Sequence, residues 1–565
     1  MKSSLLRTLT IIAALVVVNV LSAFVFFRLD LTQEKRFTLS EATQRLLANL
    51  PDDVHIDVYL TGDLPPGFKR LENAVRETLD GFQARRGLAI ANRKITYRFI
   101  NPDDVTNTDE KNKLIDKLQQ KGLLPTNLYA SEGGKRTEKL VFPGAIVSYK
   151  GRETPVQFLK GNKTATAEEQ LNQSYEGVEF QLASAIQKLT QTKEDRKRVG
   201  LLYSHTNVPP SRFSDLLASV QQQYDLFFID MAKPGPITGL DLVIVPKPDS
   251  AFSEEETFKL DQFVVNGGRA LFFVDGQRVD SVNNQGTYAQ PLSLNLDDLF
   301  FRWGVRVNRD VVKDYYCAAI PLNVGNLGDK PNIQLVPWRF YPLLNNFGTS
   351  ANPVVRNLDA VLGKFVSTLD TVRAMGGDGR LIQKTPLLLT SAYTKILKTP
   401  ALISYNEARQ QPDPSTYTDG AHIIGCLLEG KFQSLFANRI FPGDPRASGF
   451  KSEGAASRIL ICSDGDLIIN DVDYKRNAPY PLGFDRYTRN TYANKDFALN
   501  AIDYLIDPNG VIAARSRSVT LRPLDKIRVD ANRTGLQLLN LLGPLALVGL
   551  IGFVWQVVRR SQYGR

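Results

Sequence analysis

Asp241-Leu242-Val243-Ile244-Val245-Pro246, then Ser253-Glu254-Glu255-Glu256, then Asn266-Gly267-Gly268 and Ala270-Leu271-Phe272-Phe273-Val274 read in order as strand, helix and strand. The first run is continuously apolar, as in strands covered on both faces of a parallel sheet. Ser253 and Glu256 form a capping box, in which the hydroxyl accepts from the third helical N–H and the carboxylate reaches back. The helix it opens buries Leu260, Phe263 and Val264 and stops at Asn266-Gly267-Gly268. Strand–helix–strand alternation of this kind implies right-handed crossovers and a doubly wound α/β sheet.

Outward from this unit, Val199–Tyr203, a helix around Phe213–Gln222 and Leu226–Ile229 precede it. The sheet resumes with Ala421–Leu428 and Arg458–Cys462, and a helix near Phe497–Leu505 closes it. A long, less regular insertion from about Gln277 to Gly420, with Pro- and Asn-rich loops such as Gln410–Gly420, separates the halves. Together these make an α/β lobe over 199–535.

A first α/β lobe is predicted over 28–192. It holds a strand at Val54–Leu60 and, after Pro65-Pro66-Gly67, a helix with Phe68, Leu71, Val75, Leu79 and Phe82 on one face. Strands follow at Ile95–Ile100, Ala145–Tyr149 and Pro155–Leu159, and a helix carries Tyr175, Val178, Leu182, Ile186 and Leu189. Lys193–Arg198 reads as the linker between lobes.

Two apolar runs frame these lobes: Leu9–Phe27 and Leu536–Val558. At ~1.5 Å per residue each is long enough to cross a hydrocarbon core of ~30 Å as a helix. A cleavable signal peptide is disfavoured for the first, because its apolar stretch is long and Leu21 spoils a small-x-small cleavage site before Phe24. Lys2 and Arg7 lie outside the first span, and Arg559, Arg560 and Arg565 outside the second. The positive-inside rule then puts the tails 1–8 and 559–565 in the cytoplasm. Arg28, Lys35, Arg36, Arg522, Lys526, Arg528 and Arg533 argue the other way, but a domain this large translocates largely regardless of local charge. The expected topology is two-pass, N-in and C-in, with the lobes in the periplasm.

The formal net charge of +10 suits anionic lipid beside the spans better than nucleic acid, since no basic helix with interleaved aromatics occurs. Cys317, Cys426 and Cys462 have no metal spacing, and buried free thiols are expected for the last two. Ser463-Asp464-Gly465-Asp466 with Asn470 nearby offers oxygen ligands for a divalent cation, yet lacks the full calcium-loop pattern; a structural turn is the preferred reading. Trp338, Arg339, Phe340 and Tyr341, between two prolines, have the composition of an interface hot spot or of a loop plugged onto its own lobe. No phosphate loop, His-Glu-x-x-His or nucleophile elbow is present, so no catalytic residue and no cofactor is expected.

The chain resembles the gliding-motility-associated ABC transporter auxiliary proteins, the GldG-type family, over nearly its whole length. The motifs are Asp30-Leu31-Thr32 with Lys35–Ser40, Asp241–Pro246 with Asn266-Gly267-Gly268, Leu428–Phe432, Ser463–Asp466, Asn500–Leu505 and Arg522–Lys526, ending in the terminal span. The resemblance implies an ABC permease with its cytoplasmic ATPase as partners, the bacterial inner membrane as location, and contact with envelope proteins. The second lobe also looks like an amidotransferase or flavodoxin-type Rossmannoid. Two alternatives stand beside a non-catalytic, substrate-binding-type or scaffold subunit: a stand-alone membrane-anchored ligand-binding or sensing module, and a Rossmannoid hydrolase or transferase.

The topology has a direct test. A reporter active only in the periplasm should signal when inserted in Gln410–Gly420 and stay silent after Arg565; the reverse pattern overturns the orientation.

Overall fold

A computed structural model describes residues 38–563 apart from 84–93, 133–134, 160–166, 517–532 and the positions 284, 328–329, 347–349, 375, 377, 442, 474 and 477. The predicted span Leu9–Phe27, the 1–8 tail and the Arg522–Lys526 motif lie outside the described residues. The chain divides after Arg517 into two units.

In the first unit, strands Asp225–Ile229, Arg198–Leu202, Leu242–Pro246, Arg269–Phe273 and Ser457–Cys462 lie side by side in that order, all parallel. Every residue of Leu242–Pro246 is buried. Because successive side chains of a strand point to opposite faces, the apolar run feeds two cores at once. Leu242, Ile244, Leu271, Phe273 and Leu460 pack with Leu216 and Val220 of helix Ser214–Gln221 and with Phe497, Ala501 and Leu505 of helix Asn494–Ile506. Val243, Val245, Ala270, Phe272 and Ile461 pack on the other face with Leu260 and Phe263 of helix Glu254–Val265 and with Phe300 and Trp303 of helix Asp297–Trp303. The capping box is formed: Ser253 Oγ accepts from Glu256 N at 3.3 Å, and Glu256 Oε2 accepts from Ser253 N at 2.9 Å. Gly267, at φ +93°, ends that helix in the left-handed conformation that glycine favours.

Beyond Ser457–Cys462 the sheet changes direction. Ile423–Gly430 is antiparallel to it and pairs in turn with Gln383–Leu389 and Leu369–Thr371. The stretch expected to be less regular keeps long loops but carries more strand than its sequence suggests: Thr287–Pro291, Asp310–Asp314, the long hairpin Cys317–Leu327 with Lys330–Leu344, Thr394–Lys398 and Ala401–Ile403. These strands hide from periodicity because most are half exposed, one, Asp310–Asp314, is buried throughout, and they pair with distant partners, as Ala289 does with Ala401. They enclose a core of their own around Ala289, Val311, Trp338, Phe340 and Ile403.

Nearer the amino end, Ile95–Phe99, Val54–Val58, Gly144–Tyr149 and Arg152–Gln157 form a separate four-stranded sheet. Helices Pro66–Gln83 and Ala167–Thr190 supply Leu71, Val75, Leu182 and Ile186 to its core, and Val511 returns to the same cluster. The second unit contains the helix Arg533–Tyr563, within which the 22 residues Asn540–Ser561 are long and apolar enough to cross a membrane.

One partly buried acid ties stability to pH. Tyr224 donates its hydroxyl to Asp503 Oδ1 at 2.6 Å, and burial raises the Asp503 carboxyl to about 6. The folded chain therefore holds this proton more tightly than the unfolded chain, so stability falls as pH rises from about 4 to about 6 and stays down above it. Asp503→Asn keeps an acceptor for Tyr224. It should match the wild type in thermal unfolding at pH 4 and melt higher at pH 8; a lower midpoint at pH 8 would refute the charge penalty.

Candidate functional site

Three neighbouring parallel strands end at one edge of the large sheet, and each runs straight into charge. Lys247 follows Pro246, Asp275 follows Val274, and Asp464-Gly465-Asp466 follows Cys462-Ser463. This carboxyl edge is where open α/β sheets bind ligands. The Lys247 ammonium lies 2.6 Å from Asp466 Oδ2 and 3.0 Å from Asp275 Oδ2. Asp275 Oδ1 accepts the Gly465 N–H at 2.7 Å. Asp464, wholly buried, accepts from Asp466 N at 2.7 Å and from Lys364 N at 2.9 Å.

Local geometry makes this convergence possible. A Cβ on Gly465 would stand 2.7 Å from Lys247 Cβ and 3.1 Å from its Cα, so only glycine lets the loop close. Lys247 (φ 45°) and Phe365 (φ 53°) both occupy the left-handed region without being glycine. Strain of this kind, of order 1–3 kcal/mol per residue, persists where surrounding structure enforces it and clusters at functional sites.

The charges are unequal. Burial raises Asp464 well above the usual carboxylate range, and the neighbouring Asp466 adds to it. Burial also raises Asp275, against the pull of Lys247. For Asp466 burial is outweighed by Lys247 and Lys364, which hold it below its ordinary value. Burial would lower Lys247, yet Asp275 and Asp466 hold it above.

In front of the cluster opens a cleft of about 600 Å³, whose lining includes Lys247, Asp466, Arg212, Tyr341, Lys364 and Arg486. Of the residues singled out from sequence, Asp464 and Asp466 meet here. Asn470 does not join them: its Nδ2 donates to Ser211 O and Asp471 O, each at 3.2 Å, and so fastens neighbouring loops. The Lys247 ammonium stands between Asp275 and Asp466, where a cation between those carboxylates would sit. Among the described residues no group of three or more His, Cys, Asp or Glu is arranged to hold a metal ion.

Trp338 and Phe340 face into the insertion's own core, with 2% and 0% exposure. Arg339 lies 4.6 Å over the Tyr315 ring and donates to Cys317 Sγ at 3.3 Å, while Tyr341 lines the cleft. All three cysteines are free thiols. Burial pushes Cys317 up to about 11 and Cys426 up to about 12, and Cys462 well above its ordinary value, which leaves no thiolate at neutral pH.

Sequence reasoning passed over Lys247, Asp275 and Lys364, whose only signal was charge directly after an apolar strand or within a Gly-Lys-Phe turn. It also missed a polar relay. Ser204 Oγ lies 3.0 Å from His205 Nδ1, and His205 Nε2 lies 3.3 Å from Glu256 Oε2. The His205 ring is stacked at 4.0 Å on Phe252, and Glu256 is already held by the capping box. This arrangement anchors the loop after Arg198–Leu202 to the start of helix Glu254–Val265.

Residues 196–501 match the family described as an ABC-type uncharacterized transport system, a stretch that contains the Lys247 cluster. Residues 33–148 match a domain of unknown function. An uncharacterized protein of Borreliella burgdorferi strain B31 is 22% identical over 523 residues, covering 86% of this chain and 91% of that protein. Among solved structures, the mmIFT52 N-terminal domain (TM-score 0.29, 11% identity) covers 55% of this chain and 98% of its own. A ThuA-like protein of Parabacteroides merdae (TM-score 0.26, 11% identity) covers 58% and 94%. At such scores neither likeness bears on fold or function.

Lys247→Met should destabilise the chain by about 3–5 kcal/mol at pH 7, because it strands Asp275 and Asp466 without their cation. The deficit should shrink at pH 5 as those acids take protons. Denaturant unfolding of both proteins at the two pH values checks this, and a pH-independent deficit would mean lost packing instead.

Proposed function

The chain belongs to the auxiliary family of ABC-type uncharacterized transport systems, and from that premise we propose that it is a non-catalytic, membrane-anchored scaffold subunit of such a transporter, of the type associated with gliding motility. Its partners in this reading are an ABC permease and a cytoplasmic ATPase in the bacterial inner membrane. The lobes 28–192 and 199–535, joined by the 193–198 linker, stand in the periplasm between the two spans. The observation that carries the proposal is the family match over 196–501, on a chain that ends in an apolar helix with exposed side chains.

Five parallel strands with helices on both faces favour a Rossmannoid reading of the second lobe. A domain tied at both ends stays against the membrane, which suits a fixed scaffold or gate better than a diffusing carrier. Burial holds the thiols protonated, which favours a role without covalent catalysis.

Purification of the full chain in mild detergent should bring the permease and ATPase with it. Deleting 536–558 should abolish that association and the function of the complex. Retention of both by the truncated chain would sink the scaffold reading.

A further inference from the structure

The acids and cations that line the 600 Å³ cleft are not equally engaged. Asp466 is taken by Lys247, Asp471 by Arg212 at 3.3 Å, and Asp280 by Arg278 at 3.2 Å. Asp485 accepts from the Tyr487 N–H at 3.0 Å and from the Thr488 hydroxyl. Two cations on the lining have no carboxylate within ion-pair distance among the described residues. The Lys364 ammonium lies 5.8 Å over the Tyr341 ring. The Arg486 guanidinium lies 4.7 Å over the Tyr487 ring and donates to its hydroxyl at 2.6 Å. The spare hydrogen-bonding capacity at the ends of these side chains is thus donor capacity carrying positive charge.

Position reinforces composition. Lys364 is fixed by its own backbone N–H, which donates to the buried Asp464, and by the left-handed Phe365 that follows it. Its side chain is therefore launched from the same pinned loop that closes the Lys247 cluster. An ammonium and a guanidinium on the lining of one concave site both offer donors to an oxygen anion, since charge-assisted N–H···O bonds to carboxylate or phosphate are the strongest such groups make.

We propose that this cleft binds a small ligand bearing an oxyanion, a carboxylate or phosphate, through Lys364 and Arg486, with Lys247 and its acids serving as the rigid floor. The site extends beyond the scaffold role and stands whether or not a transporter is present. The oxyanion is carried by a free solute or by a lipid headgroup, and the two sources are separable.

The test is titration calorimetry on the full chain in neutral detergent, with inorganic phosphate and with citrate as probes. Saturable binding of at least one is expected, about tenfold weaker in Lys364→Ala and in Arg486→Ala, and unchanged in the exposed control Lys475→Ala. Lys364→Arg should recover part of the loss, because it restores the charge. Nanodiscs of phosphatidylglycerol or of phosphatidylcholine, without added solute, form the second arm. Protection of the cleft variants' positions from modification only in phosphatidylglycerol assigns the anion to lipid, and phosphate or citrate binding independent of lipid assigns it to a solute. Folded wild type that binds no probe in either arm overturns the proposal, as does equal binding by all variants. A chain that binds the anion yet brings no permease through detergent refutes the scaffold reading and leaves this one intact. The reverse result refutes only this one.

Discussion

One ammonium governs how this fold is finished at its carboxyl edge. Lys247 Nζ reaches both Asp275 and Asp466, and those acids belong to the loops of the next two strands in the sheet. Removing either charge from a site this buried leaves the other uncompensated, at a cost of several kcal/mol. The loops are consequently held in one arrangement, tight enough that position 465 has no room for a Cβ and position 247 must accept a left-handed backbone. Asp464, buried beside them, extends the clamp to the 363–365 loop through the Lys364 N–H.

That extension explains the placement of the insertion. Strand Arg269–Phe273 ends at the carboxyl edge, and Ile423–Gly430, antiparallel to Ser457–Cys462, begins there. The chain between them adds Val305–Val307, Leu369–Thr371 and Gln383–Leu389 to the far side of the same sheet, and other segments of it reach the cleft at the carboxyl edge. Tyr341, Lys364 and Phe365 come from this excursion and wall the cleft, while Lys247 and Asp466 come from the sheet. A rigid scaffold with a variable wall of loops and strands is how one sheet architecture serves many ligands.

The sequence disclosed the parts whose pattern is local. The apolar run Leu242–Pro246, the capping box at Ser253 and the stop at Gly267 all appear in the structure where periodicity and cap chemistry put them. The helix face Phe68, Leu71, Val75, Leu79 and Phe82 is buried as its spacing required. The insertion's strands were not legible, because the hairpin Lys330–Leu344 is exposed over most of its first half and gains its register from tertiary packing. In the segment Trp338–Tyr341 composition was informative and direction was not. Alternation sends Trp338 and Phe340 into one core and Arg339 away from it, while Tyr341 packs on that core from its edge beside Phe365. The candidate site was half visible: Asp464 and Asp466 stood out as a turn, but their partners Lys247 and Asp275 lie about 200 residues away and carry no motif.

The valences of the cleft decide what kind of chemistry it suits. A general base needs an acceptor lone pair facing substrate, and a nucleophile needs a neighbouring base to take its proton. Here the Asp466 carboxylate is occupied by Lys247, and the Asp464 oxygens are occupied by backbone N–H groups. Cys462, the thiol nearest the cluster in sequence, is wholly buried and held protonated, with Asp464 raising it further. The groups with free donor capacity, Lys364 and Arg486, carry only N–H donors, which suit holding an anion. Fixed donors over a clamped floor suit the anion binding proposed for this cleft, because their geometry is set before a ligand arrives.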